Sequence, residues 1–153
     1  MRKAGDTMIP MTDTVFIVDD DASVRKALRR LLRSAQYRVQ TFTSAEEFRL
    51  SGFNSERGCL LLDIRLPGIS GFELQEELLA SGVQMPVVFV TGHDLPGMEE
   101  RAMLLGAAAY LRKPFDEKAL LSSVRIAIQL RFNSSTNKTK SPPASKQTEQ
   151  EER

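Results

Sequence analysis

Short apolar runs alternate with amphipathic stretches along most of this chain. Val15-Phe16-Ile17-Val18 is β-branched and aromatic and stops at three aspartates, Asp19, Asp20 and Asp21. Val24, Ala27, Leu28, Leu31, Leu32 and Ala35 then recur at the steps of a single helix face. Tyr37 to Phe42 alternates as a half-buried strand does, and Cys59-Leu60-Leu61-Leu62 is a continuous apolar strand ending at Asp63. Ser44 and Ser70 each precede a glutamate by three residues, Glu47 and Glu73, the capping-box form of a helix start. Pro86-Val87-Val88-Phe89-Val90 is a buried-type strand that ends at Thr91. A helix over 98–105 stops at Gly106, and the short strand Ala108 to Leu111 runs into Lys113-Pro114. Asp116 caps a last helix carrying Ala119, Leu120, Val124, Ala127 and Ile128.

That is a strand followed by a helix, five times over. Near-continuous apolar strands between helices predict a doubly wound α/β domain, a five-stranded parallel sheet with helices on both faces. In such sheets, ligands and chemistry gather outside the carboxyl ends of the strands. The residues there are Asp19 and Asp20, Asp63, Thr91 and Lys113. Asp21 reads only as the N-cap of the first helix. Carboxylates crowded at one rim repel each other, and Mg²⁺, which takes a few carboxylates and keeps its waters, relieves that repulsion. A carboxylate beside such a cation can attack a phosphoryl group, with Lys113 and Thr91 bonding the phosphoryl oxygens. The pattern therefore predicts phosphoryl transfer to a carboxylate.

Composition narrows the reading. The chain has 153 residues, of which 41% are hydrophobic and 27% charged, as expected of one globular domain. No apolar stretch approaches the roughly 18 residues of a membrane span, and the N-terminus lacks a signal-peptide core, so a cytoplasmic protein is expected. The single cysteine, Cys59, and single histidine, His93, exclude an internal disulfide and a Cys- or His-rich zinc site. With 21 basic and 20 acidic residues, the net charge of +1 gives no reason to expect DNA binding. Removing the two bases and two acids of residues 1–13 and the five bases and three acids of residues 131–153 leaves 14 bases and 15 acids between. The expected boundaries are a flexible segment over 1–13, the domain over 14–131, and a disordered tail or truncated linker over 132–153 without an output domain.

The strings Val15-Phe16-Ile17-Val18-Asp19-Asp20-Asp21, Leu61-Leu62-Asp63-Ile64-Arg65-Leu66-Pro67-Gly68-Ile69-Ser70-Gly71, Val90-Thr91-Gly92-His93 and Arg112-Lys113-Pro114-Phe115 resemble the receiver domain of bacterial two-component response regulators. Asp-Ile-Arg-Leu-Pro-Gly and Thr-Gly-His further resemble its FixJ-like members. The resemblance implies the flavodoxin-like (βα)5 fold and a phosphoryl group accepted on Asp63 from a sensor histidine kinase. It implies Mg²⁺ held by Asp20, by Asp19 largely through water, by Asp63 and by the backbone carbonyl of Arg65. It also implies a cis peptide before Pro114 that aims Lys113, and a switch pair, Thr91 and Tyr110. Arg65 and His93 would flank the hydrolytic water and tune dephosphorylation. A phosphorylation-dependent homodimer through the fourth helix, fifth strand and fifth helix is the expected output, with no DNA or membrane contact by this chain.

Two places depart from the family pattern. Gln36 stands where glycine or asparagine commonly ends the first helix, so that helix is expected to run on or end less sharply. Asp94-Leu95-Pro96-Gly97 is unusual before the fourth helix, whose start is expected to be shifted, with Gly97 inside the helix, and which is expected to be loose. A competing reading is a haloacid-dehalogenase-type phosphohydrolase with Asp19 as nucleophile. It leaves Asp63 unexplained and lacks a further acidic pair at a strand end.

Overall fold

The computed structural model describes residues 13–139, with side chains as far as Arg131. Five strands are β1 (Thr14–Val18), β2 (Arg38–Phe42), β3 (Gly58–Asp63), β4 (Val87–Thr91) and β5 (Ala109–Arg112). Five helices follow them in turn: α1 (Ala22–Ser34), α2 (Ala45–Arg49), α3 (Gly71–Ala80), α4 (Met98–Leu104) and α5 (Glu117–Thr139). All strand pairs are parallel, in the order β2-β1-β3-β4-β5. The doubly wound fold read from the apolar pattern is the fold observed.

Alternation within the strands builds a separate core on each face of the sheet. Phe16, Val18, Leu60, Leu62, Val87 and Phe89 face α2, α3 and α4, where Phe48, Phe72, Leu74 and Ala102 meet them. Val15, Ile17, Cys59, Leu61, Val88 and Val90 face α1 and α5, meeting Leu28, Leu32, Leu120, Val124 and Ala127. Burial on both faces explains why β1, β3 and β4 read as unbroken apolar runs. The edge strand β2 keeps Arg38 and Gln40 exposed.

Local chemistry sets the helix ends, and several differ from expectation. Asp21 caps α1 by accepting from Ser23 N–H at 2.8 Å. Ser70 and Glu73 form a complete capping box on α3. At α2 the box is one-sided: Ser44 accepts from Glu47 N–H, but the Glu47 carboxylate turns back to Thr43 N–H at 2.6 Å. Helix α1 does not run on. Gln36 itself takes the left-handed conformation, φ 76°, and the bonds Gln36 N–H to Arg33 O and Tyr37 N–H to Leu32 O close a Schellman motif without glycine. Gly97 lies at the N-cap of α4, with φ 87°, rather than inside the helix, and supplies no side-chain cap.

The domain boundaries also shift. Asp13 belongs to the fold, since its carbonyl accepts from Arg38 N–H and its carboxylate pairs with Arg57 at 3.2 Å. Residues 1–12 of the expected flexible segment lie outside the described residues. Helix α5 passes the expected boundary at 131 and continues to Thr139. Arg131 Nη1 donates to Gly58 O at 3.1 Å, fastening the helix to the foot of β3. No proline lies between Pro114 and Pro142, so extension costs far less than starting a new helix. The rest of the expected tail, residues 140–153, lies outside the described residues.

Candidate phosphoryl-acceptor site

Strand register brings the polar strand ends together. Val18 pairs with Leu62, Asp63 with Val90, and Thr91 with Arg112. Asp19, Asp63, Thr91 and Lys113 therefore stand side by side at one rim. The Lys113–Pro114 peptide is cis, and Lys113 N–H donates to Thr91 O at 2.7 Å. Lys113 Nζ lies 2.8 Å from Asp19 Oδ2 and 3.3 Å from Asp63 Oδ2.

The rim is buried although it is charged. Asp19, Asp63 and Thr91 are 1%, 4% and 0% exposed, whereas Asp20 faces solvent. Carboxylate oxygens of Asp19, Asp20 and Asp63 all lie within 4.8 Å of one another. Burial, and next the charge of Asp19, pushes the Asp63 carboxyl up to about 6, against the opposing pull of Lys113 and of Arg65 N–H. Burial would lower the pKa of Lys113, but Asp19 and Asp63 together outweigh it and hold the ammonium above its ordinary value. One cation thus faces three carboxylates. A hard, oxygen-seeking divalent ion fits that donor set and its uncompensated charge.

The remaining predicted residues fall into two groups. Arg65 donates its backbone N–H to Asp63 Oδ1 at 3.2 Å, and its side chain, with Asp20, Pro67, His93, Leu95 and Arg101, lines a cleft of about 690 Å³ beside the rim. Thr91 Oγ1 accepts from His93 N–H at 3.1 Å. Tyr110 lies farther out, on the α4 side of the sheet, with its ring buried and its hydroxyl donating to Asp94 Oδ1. A larger cavity of about 980 Å³ runs along α4, past Asp94, Met103, Leu104 and Arg112, and away from the carboxylates.

The sequence reading missed several partners. Arg25 Nη1 donates to Asp19 O at 2.7 Å, fixing the turn that presents the acidic pair. Asp94 holds Arg112 Nε at 2.6 Å as well as Tyr110, and Arg112 continues to Glu99 at 2.7 Å. Glu46 reaches the loop after Asp63. Only Asp94 carried a sequence signal, its unusual place after Thr91-Gly92-His93.

Residues 15–125 match the response regulator receiver domain family. The chain belongs to this family. It is 43% identical over 120 residues to the transcriptional regulatory protein FixJ of Azorhizobium caulinodans, covering 78% of this chain and 57% of that protein. Identity to nodulation protein W of Bradyrhizobium diazoefficiens is 41% over 128 residues, covering 83% and 56%. Among solved structures, the response regulator StyR aligns with a TM-score of 0.77 at 46% identity, over 85% of this chain and 66% of that one. The FixJ-N structure aligns with a TM-score of 0.72 at 32% identity, over 78% and 96%. The receiver therefore spans somewhat more than half the length of these curated relatives. Two-component receiver function follows, and the phosphohydrolase reading finds no support; Asp19 is committed to Asp21 N–H at 2.9 Å and to Lys113. No helix among the described residues is long and apolar enough to cross a membrane.

Proposed function

We propose that this receiver accepts a phosphoryl group on Asp63 from a phosphohistidine of a sensor histidine kinase, in the cytoplasm. One observation carries the proposal: Asp63 is a buried carboxylate at the centre of the rim, with Lys113 on Oδ2 and the Arg65 N–H on Oδ1. An Asp63 oxygen attacks phosphorus, the O–P bond forms as the P–N bond breaks, and the imidazole leaves carrying a proton. Lys113 exchanges a carboxylate oxygen for a phosphoryl oxygen, keeping its charge paired throughout. Asp19, Asp20, Asp63 and the Arg65 carbonyl would hold Mg²⁺, which supplies charge neutralisation at the phosphoryl oxygens.

Thr91 turns its hydroxyl toward the new phosphoryl group, giving up its bond to His93 N–H. Tyr110 then moves inward, and the surface of α4, β5 and α5 changes. Leu95, Met103 and Leu104 are 49%, 45% and 88% exposed on that surface, which suits a homodimer formed on phosphorylation. Arg65 and His93 border the cleft that hydrolytic water would use, and they tune how long the phosphoryl group lasts. With 14 bases against 15 acids over residues 14–130, the domain works through protein contacts rather than DNA.

Incubation with Mg²⁺ and acetyl phosphate, followed by intact-mass measurement, tests this function. One phosphoryl adduct is expected, lost in Asp63→Asn. Sedimentation of the phosphorylated protein reads the dimer. An adduct lost in Asp19→Asn but kept in Asp63→Asn, with multiple turnover, would return the hydrolase reading.

A further inference from the structure

The segment from Asp63 to Gly71 leaves the strand, crosses the rim and starts α3. Its two ends are held together at the end of β3. Arg65 N–H bonds Asp63 Oδ1 at 3.2 Å, and Gly71 N–H bonds Ile64 O at 2.9 Å. A Cβ on Gly71 would come within 2.3 Å of Asp63 O, so this end sits directly on the strand backbone. The middle of the segment is held from another element. Glu46 Oε2 on α2 accepts from Ile69 N–H at 3.0 Å.

The loop is shaped around that carboxylate. Gly68 has φ 76°, and a Cβ there would lie 2.4 Å from Glu46 Oε2. Glycine takes this left-handed backbone readily, and a side chain there would have to push the Glu46 carboxylate aside. Ala45 and Phe48, fully buried on the same helix, seat α2 against the core and so set where Glu46 emerges. Arg49 pairs with Glu77 at 3.0 Å, tying α2 to α3 on the far side of the loop. The Ile69 N–H keeps the Glu46 carboxyl below the usual range, so it is ionised at neutral pH and forms a charge-assisted bond.

We propose that Glu46 is a positioning residue of the acceptor site: by fixing the Gly68–Ile69 backbone it steadies the loop that carries Arg65 and raises the site's affinity for a divalent cation. The inference rests on the proposed reading of Asp19, Asp20, Asp63 and the Arg65 carbonyl as the cation site. Partners that bond a metal ligand directly change affinity about 10–100-fold when removed; Glu46 acts one step further out, through Ile69, so a smaller effect is expected.

Mn²⁺ titration of the full chain, read by the electron paramagnetic resonance of free Mn²⁺, tests it. Glu46→Ala should weaken binding by about threefold to tenfold. Glu46→Gln, whose amide oxygen can still accept from Ile69 N–H, should recover most of the loss. Glu47→Ala, which removes only the Thr43 contact, should bind as the wild type does. Amide NMR shifts of Ile69 and Arg65 should move in Glu46→Ala and return in Glu46→Gln, so a change in the loop is separated from general unfolding. Wild-type affinity in a folded Glu46→Ala protein would overturn the proposal, as would equal loss in Glu46→Gln and Glu47→Ala. If the wild type bound no more Mn²⁺ than Asp20→Asn, the cation site itself would fall, and this inference with it.

Discussion

The hydroxyl of Tyr110 donates to Oδ1 of Asp94, sixteen residues earlier in the chain, while the Tyr110 ring stays buried. Thr91 is held by the same stretch, through His93 N–H. The loop following β4 therefore grips both members of the proposed switch pair, one through backbone and the other through a side chain. Arg112 extends the grip to Glu99 in the first turn of α4. A hydroxyl that leaves His93 frees the neighbouring residue, and that residue holds Tyr110.

Removing the grip should ease the switch. At equal phosphoryl occupancy, Asp94→Ala should shift the dimer equilibrium toward dimer a few-fold, read by sedimentation velocity. Tyr110→Phe breaks the same bond from the other side, so the double variant should add little to either single one. An unchanged equilibrium in Asp94→Ala would show that the bond does not restrain Tyr110.

Metal-free Asp63 should leave a pH signature. Its carboxyl is pushed up to about 6 from an ordinary 3.8, so the folded protein holds the proton more tightly than the unfolded chain does. The stabilisation from this proton is complete below the ordinary value and is lost as pH rises through about 6. In chelator-treated protein, melting temperature should rise from about pH 7 to about pH 5 more steeply in the wild type than in Asp63→Asn. Identical slopes in the two proteins would contradict the assignment of the shift to Asp63.

Gln36 supplies a test of the fold. It occupies the left-handed region that an L side chain enters at a cost of roughly 1–2 kcal/mol. Glycine removes that cost but loses more freedom on folding, so Gln36→Gly should stabilise by a net of about 0.5–1 kcal/mol in urea denaturation. Destabilisation would mean that the Gln36 side chain makes a contribution larger than its backbone strain.

The parts of this receiver that were legible in the sequence are those set by neighbours along the chain. Asp19, Asp63, Thr91 and Lys113 could be found because each ends an apolar strand, and parallel register carries such ends to one rim. The Asp21 cap and the Ser70–Glu73 box were readable for the same local reason. What escaped depends on packing between distant segments. Glu46 meets Ile69 across 23 residues, and its place between Ser44 and Glu47 of a capping string gave no hint of the loop it holds. Gln36 shows the other limit, a backbone conformation set by helix closure against the residue's own preference. The length of α5 depended on the absence of a breaker more than on any apolar pattern. Net charge misled in its own way, since near-neutrality conceals three carboxylates around one lysine.

The central claim is that Asp63 becomes the acyl phosphate, and borohydride trapping tests it most directly. After phosphorylation with Mg²⁺ and acetyl phosphate, borohydride reduces the aspartyl phosphate to homoserine, and peptide mapping locates the altered residue. Homoserine at position 63 alone is the expected result. Homoserine at position 19 or 20, or none in a protein that still hydrolyses the donor, would contradict the account.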